Sequence, residues 1–329
     1  MHEKKRIGFW MPETKIKKWN LLEFKEICSS YGYELFHLDL DTDLENQGNI
    51  NALVYKLTDF LLEDDEKSAS ILNMVEKYLS KHPQVIALDP LLNVRKLLYR
   101  HDIYSIIEST DLYKYGVFTP NFCEINNTNF NKIEEQLQLH NISYPFVCKN
   151  ALAQGPKEVH DMFIVFNKND LDLCRPPCVV QSFVNHNATL YKIHIVGKEY
   201  CCTGRPSLKN FYPGNRKPIF FNTDEVSNIN AKGELLVLDE EDEVIPQIVP
   251  NPFIIENIVC VIGKAFGVDL LGIDIIIENY TGRHAIIDVN TFPRYEQYPN
   301  FFGAVLRCIN DKQVEQKYRD DGYKIMKIV

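Results

Sequence analysis

Apolar positions divide the chain into short β-branched runs and longer stretches with apolar residues every three or four places. The first kind predicts strands, the second amphipathic helices. Strands are expected over 5–10, 33–40, 52–56 and 85–88. Between them Leu21, Leu22, Phe24, Ile27 and Cys28 recur at helical spacing, and a second helix is expected over 68–81. Such strand–helix alternation implies a small parallel α/β domain, roughly residues 1–98. A helix over 91–109, a connection over 113–122 and a helix over 130–140 follow. Further strands are expected over 144–149, 162–166, 178–184, 190–196 and 200–203. Residues 213–251 carry no strong period, and Asp239–Glu243 reads as a solvated acidic loop. Asn251-Pro252 opens a helix whose Ile254, Ile255, Ile258, Val259, Ile262 and Phe266 share a face, and Gly267 closes it. Ile273–Ile277 and Ala285–Val289 flank an Asn-, Thr- and Gly-containing turn, which is a hairpin signature. A last helix over 301–308 and a charged tail complete the pattern.

The chain has 329 residues, of which 45% are hydrophobic and 25% charged, ordinary values for a globular chain of two or three domains. With no run of 18 apolar residues, no membrane span is expected. The first residues lack the apolar core of a signal peptide. A formal net charge of −9 argues against general binding of nucleic acid or anionic membranes. It leaves room for a locally basic cleft. Nine cysteines occur without a CxxC or Cys/His zinc spacing, so reduced, mostly buried thiols in a cytoplasmic protein are expected.

The hairpin carries the sharpest chemical signal. Alternation puts Asp288 and Asn290 on one strand face. Folding about Thr281 sets Asp274 opposite Asp288. Facing like charges destabilise a strand pair unless a cation compensates. Two carboxylates and an amide oxygen are few, hard ligands, which suits Mg²⁺. The bland alternative is a solvated face, but the apolar neighbours argue for a half-buried hairpin lining a cleft.

Basic residues stand where strands end. Lys15 and Lys56 follow strands of the first domain, where ligands of parallel sheets collect, although a lone lysine is more often merely solvated. Lys149 ends a strand before the polar loop Ala153–His160, which could fold over a phosphate chain; one glycine there is a weak signal. Gln181, Ser182, Phe183 and Val184 form an extended edge suited to a nucleotide base, or a plain interdomain strand. Lys192 shares a face with His194, and Arg205, Ser207 and Lys209 cluster at a strand end. With Arg100 and His160, these cations and the acid cluster are what phosphoryl transfer needs. No Walker A motif, protein-kinase signature or Gly-x-Ser-x-Gly occurs.

Several stretches, in order, resemble the inositol-tetrakisphosphate 1-kinase family, also called inositol 1,3,4-trisphosphate 5/6-kinase. They include Tyr55-Lys56-Leu57-Thr58-Asp59, Val179-Val180-Gln181-Ser182-Phe183-Val184-Asn185-His186-Asn187-Ala188, Arg205-Pro206-Ser207-Leu208-Lys209-Asn210, Leu271-Gly272-Ile273-Asp274 and Ile287-Asp288-Val289-Asn290-Thr291-Phe292-Pro293. The resemblance runs to about residue 310. It implies an α/β (α+β) ATP-grasp fold: an N-terminal domain, 1–98, then a central domain, 99–184, and a C-terminal domain, 185–329, that clamp ATP between antiparallel sheets. It implies ATP contacts at Arg100, Lys149, Gln181, Ser182, Phe183, Val184, Lys192, Ser207, Thr223 and Ser227. Inositol phosphate contacts fall at Lys15, Lys56, His160, Lys192 and Asn290. Asp274, Asp288 and Asn290 match ligands of two Mg²⁺ ions, with Lys192 and Arg205 beside the transferred phosphate. The expected reaction is ATP-dependent phosphorylation of inositol 1,3,4-trisphosphate at the 5- or 6-hydroxyl and of inositol 3,4,5,6-tetrakisphosphate at the 1-hydroxyl, by a monomer. An ATP-grasp carboxylate–amine ligase and a non-catalytic inositol phosphate binder are the alternatives. Two departures stand out: loop 150–159 is one residue longer, and Arg294 replaces a small residue.

Overall fold

The computed structural model describes residues 4–242 and 246–320, the last two by their backbone alone. The remainder of the expected charged tail and Glu243 of the acidic run lie outside these residues.

The first unit is a sheet of β1 (Lys5–Trp10), β2 (Tyr33–His37), β3 (Ala52–Tyr55) and β4 (Ile86–Leu88). All pair in parallel, in the order β2-β1-β3-β4. Every residue of β3 is buried, as its unbroken apolar run requires of a strand covered on both faces. Helices Leu21–Ser30 and Glu66–Lys81 are begun by Asn20 and Asp65, whose side chains accept from first-turn backbone N–H groups.

The expected helix over 91–109 is broken. Leu91–Val94 and the 3₁₀ turn Arg95–Leu97 precede a separate helix, Arg100–Glu108. Tyr99 is extended, and the backbone here leaves the helix to pair with another segment: Arg100 N donates to Ala151 O at 2.9 Å and Ala153 N to Leu98 O at 2.8 Å. Helical periodicity persists through the break, so the sequence does not reveal it. The expected connection over 113–122 holds the two-residue β5 (Val117–Phe118) and the start of β6 (Phe122–Ile125), strands too short to show a period.

β7 (Phe146–Asn150), β8 (Asp161–Val165) and β9 (Cys178–Ser182) follow. Next come β10 (Thr189–Val196), β11 (Glu199–Pro206) and β12 (Ile219–Asn222), the last within the aperiodic stretch. The hairpin is β13 (Leu270–Ile277) and β14 (His284–Thr291). Two five-stranded sheets result, β12-β8-β7-β9-β6 and β11-β10-β13-β14-β5, antiparallel except for the β14–β5 pair. The chain thus crosses between them four times, after β5, β9, β11 and β12.

The last helix runs over Phe301–Asp320, longer than expected, because its polar second half has no readable period. Its apolar start closes one core with the first unit: Phe301, Phe302 and Val305 cluster with Ile7, Phe9 and Phe24. Asp89, 2% exposed, joins the same units through its carboxylate, which accepts from Asp269 N at 2.8 Å and Leu270 N at 3.1 Å. All nine cysteines are free thiols, six of them buried.

Candidate active site

The hairpin sets Asp274 opposite Asp288, but not through the fold about the turn alone. The pairs nearest the turn, Ile277 with His284 to Ile275 with Ile286, would bring Ile287 opposite Asp274, and a one-residue shift brings Asp288 there instead. Lys192 of β10 stands opposite Asp274 on its other side, so cation and carboxylates form a row across three strands. Lys192 Nζ lies 2.8 Å from Asp274 Oδ1. A bulge follows: the next pair is Ile275 with Ile286, which leaves Ile287 without a counterpart. Such a residue has a backbone released from the ladder. Its carbonyl accepts instead from Tyr104 Oη at 2.9 Å and Lys149 Nζ at 3.0 Å.

Asp288 is held from several sides. Arg100 Nη1 donates to its Oδ1 at 2.8 Å, and Asn290 Nδ2 to its Oδ2 at 3.1 Å. Burial opposes the carboxylate, but Arg100 and Lys149, with Asn290 and Lys192, hold it below its ordinary range. Arg100, only 1% exposed, is therefore a counter-ion behind the acid row and does not line the cleft. Its position depends on the helix break, which makes it the first residue of a new helix; Tyr104, one turn later, reaches the same strand. Lys149 Nζ also donates to Gln181 Oε1 at 2.6 Å and Tyr104 Oη at 3.0 Å. Burial and the neighbouring Arg100 bring Lys149 down to about 7, against the pull of Asp288 and Asp274.

Beyond β14 the chain turns through Phe292 and Pro293, whose carbonyls accept from Lys15 Nζ, the second at 3.2 Å. Gly272 makes this turn possible, since a Cβ there would meet Cβ and Cγ of Pro293 at 2.9 Å. Lys15 and Lys56 are both drawn below the ordinary lysine range, chiefly by burial, with Arg294 adding to it and Asp59 opposing.

The 183–188 linker is fixed by buried side chains. His186 Nδ1 pairs with Val184 O at 2.6 Å and its Nε2 with Ser207 Oγ at 2.8 Å. Burial lowers His186 to about 4, so the ring is neutral; as donor to the carbonyl, it accepts from the Ser207 hydroxyl. Asn187, Asn210 and Asn279 interlock beside it, at 2.9 Å and 2.8 Å.

One cleft of about 1090 Å³ gathers these groups. That exceeds the roughly 300–1,000 Å³ typical for one small ligand. Every expected site residue except Arg100 lines it: Lys15, Lys56, Lys149, His160, Gln181 to Val184, Lys192, Arg205, Ser207, Thr223, Ser227, Asp274, Asp288 and Asn290. His160 Nδ1 is 3.4 Å from Thr223 Oγ1, and Arg205 Nη2 donates to Gln297 Oε1 at 3.1 Å. Val147, Met162, Leu190, Phe221, Ile276 and Ile287 supply an apolar part. Sequence reading missed Tyr104, Gln154, His186 and Asp224. Tyr104 lies four residues after Arg100, a usable helical signal; Gln154, whose Nε2 donates to Asn290 Oδ1 at 3.0 Å, offers none. Among the described residues no three His, Cys, Asp or Glu form a metal cage. Two cleft-facing carboxylates and the Asn290 amide remain, an all-oxygen set that fits an ion completing its shell with water and phosphate.

Residues 6–94 match the inositol 1,3,4-trisphosphate 5/6-kinase pre-ATP-grasp domain, and residues 113–311 match the ATP-grasp domain of the same family. The chain belongs to the inositol 1,3,4-trisphosphate 5/6-kinase family. It is a kinase of the ATP-grasp fold and uses ATP. It is 39% identical to inositol-tetrakisphosphate 1-kinase of Xenopus laevis, covering 93% of this chain and 78% of that one. The Danio rerio protein of the same name is 38% identical with the same coverage. Among solved structures, D-alanine–D-alanine ligase from Bacillus anthracis superposes with a TM-score of 0.57 at 14% identity, covering 97% of this chain and 100% of that one. The macrocyclase MdnC from Microcystis aeruginosa gives 0.57 at 15% identity, covering 93% and 99%. At such identities these two show the shared fold alone. Among the described residues of this kinase, no helix is long and apolar enough to cross a membrane.

Proposed function

We propose that this kinase transfers the γ-phosphoryl group of ATP to inositol 1,3,4-trisphosphate, at the 5- or 6-hydroxyl, and to inositol 3,4,5,6-tetrakisphosphate, at the 1-hydroxyl. The observation that carries this reading is the order of groups along β14. Ile287 lies by Lys149 and the Gln181 edge; Asp288 and Asn290 follow; Phe292 and Pro293 grip Lys15. At about 3.3 Å per residue, Ile287 to Thr291 spans about 13 Å, enough for a nucleotide at one end and an acceptor at the other. The adenine takes the apolar part beside Phe183 and Val184. Lys149, Lys192 and Arg205 neutralise charge on the transferring phosphate, and Lys15, Lys56 and His160 hold the acceptor. Asp274, Asp288 and Asn290 would hold two Mg²⁺ ions, which would supply charge neutralisation to the phosphate being transferred. A loose phosphoryl transition state asks for position and charge, so no side-chain nucleophile is required. One chain supplies every group named, which supports activity as a monomer, and nine free thiols support a cytoplasmic setting. Its functional divisions are 1–98, 99–184 and 185–329, with β5 and β12 crossing between the last two.

Chromatography of products formed from ATP, Mg²⁺ and each inositol phosphate tests the assignment. One added phosphate per acceptor is the expected result. ATP consumption with an amino-acid or peptide pair to give a ligated product, and no phosphorylated inositol, would refute it in favour of a ligase.

A further inference from the structure

Arg294 follows the two carbonyls that hold Lys15, and its charge bears on both Lys15 and Lys56. Three cations thus converge at the acceptor end of the cleft. Two carboxylates answer them. Asp59 acts on both lysines, and Asp224 Oδ2 lies 3.6 Å from Arg294 Nη2. Asp224 belongs to the short helix Thr223–Val226 after β12, in one five-stranded sheet's arm; Arg294 follows β14 of the other sheet. Both line the cleft, so their pair spans it.

This link is easily exchanged. The Arg294 and Asp224 side chains are 57% and 45% exposed, and such ion pairs contribute little. Lys15 and Lys56 also repel the guanidinium toward Asp224. A phosphate monoester carries about −1.5 to −2 charges near neutral pH. It also offers the paired oxygens that a guanidinium binds in parallel, which a lysine does not match. An anion between the lysines reverses the local field and draws Arg294 from Asp224.

We propose that Arg294 is a specificity-determining residue of the acceptor site: it exchanges Asp224 for an acceptor phosphate held with Lys15 and Lys56, and so favours acceptors carrying that phosphate. The inference rests on the inositol phosphate kinase reading.

The test compares wild type with Arg294→Ala on inositol 1,3,4-trisphosphate and on the three bisphosphates made by removing one phosphate each. Loss of one charge-assisted phosphate contact is expected to lower kcat/KM on the trisphosphate by about tenfold. The variant should lose nothing on the bisphosphate that lacks the contacted phosphate, and KM for ATP should stay within about twofold in the same scale. Asp224→Asn should lower the trisphosphate KM about twofold in wild type, the worth of an exposed pair, and do nothing in Arg294→Ala. Equal loss on all four acceptors, or none on any, overturns the proposal while leaving the kinase assignment standing. Failure of wild type to phosphorylate any of the four overturns the assignment and the proposal together.

Discussion

Asp288→Asn keeps the shape of the side chain and removes its charge, which makes it the most informative single change. Arg100 is 1% exposed and donates to Asp288 Oδ1 at 2.8 Å, while Lys149, also buried, leans on the same carboxylate. Removing one partner of a buried pair typically costs about 3–5 kcal/mol, because the other charge stays desolvated. The amide oxygen of Asn can still accept from Arg100, and the Asp288 side chain is 18% exposed, so about 2–3 kcal/mol is expected here. The fall should appear as a lower urea midpoint with an unchanged slope. The double variant Arg100→Met/Asp288→Asn isolates the pair: each change should cost much less in the presence of the other. Independently, kcat should fall by at least on the order of 10², because a carboxylate proposed to hold Mg²⁺ at the transferring phosphate is lost. A wild-type urea midpoint would refute the counter-ion argument. Near-normal turnover in folded Asp288→Asn would refute its place in phosphoryl transfer.

Three further outcomes follow from the geometry. Lys149, brought down to about 7 in the free cleft, is mostly neutral at pH 8; a triphosphate beside it restores its charge, so ATP binding at pH 8 should take up close to one proton, read as buffer-dependent enthalpy in calorimetry and absent in Lys149→Met. The sign follows from the free group lying below the pH and the bound group above it; proton release, or identical behaviour in Lys149→Met, would count against it. His186→Phe removes the neutral ring that ties Val184 O to Ser207 Oγ and should raise KM for ATP about tenfold, with kcat changed far less; equal losses in both would make His186 merely structural. Gly272→Ala drives a Cβ against Pro293 at 2.9 Å and should cost about 1–3 kcal/mol of stability while raising KM for the acceptor through the Lys15 carbonyls, as steady-state kinetics would show; an unaltered acceptor KM would refute the link.

The sequence by itself determined elements whose information is local. Helix Pro252–Phe266 has its cap, its apolar face and its closing glycine in consecutive residues. The acid hairpin is legible because its turn and both β-branched strands are consecutive in sequence. The register set at the turn would place Ile287 opposite Asp274, however, and it is the bulge, which leaves no sequence period, that brings Asp288 there. Tertiary structure decided what depends on pairing between distant residues. The break before Arg100 exists because residues 98–100 bond to 151–153, and nothing in the 91–109 periodicity competes with a continuous helix. β5 and β12 are strands only because β14 and β8 offer free edges. Arg100 became a buried counter-ion, and Arg294 found Asp224 across the cleft, for the same reason. Ion pairs between segments far apart leave no period, and Coulomb energy is set by where folding puts the charges.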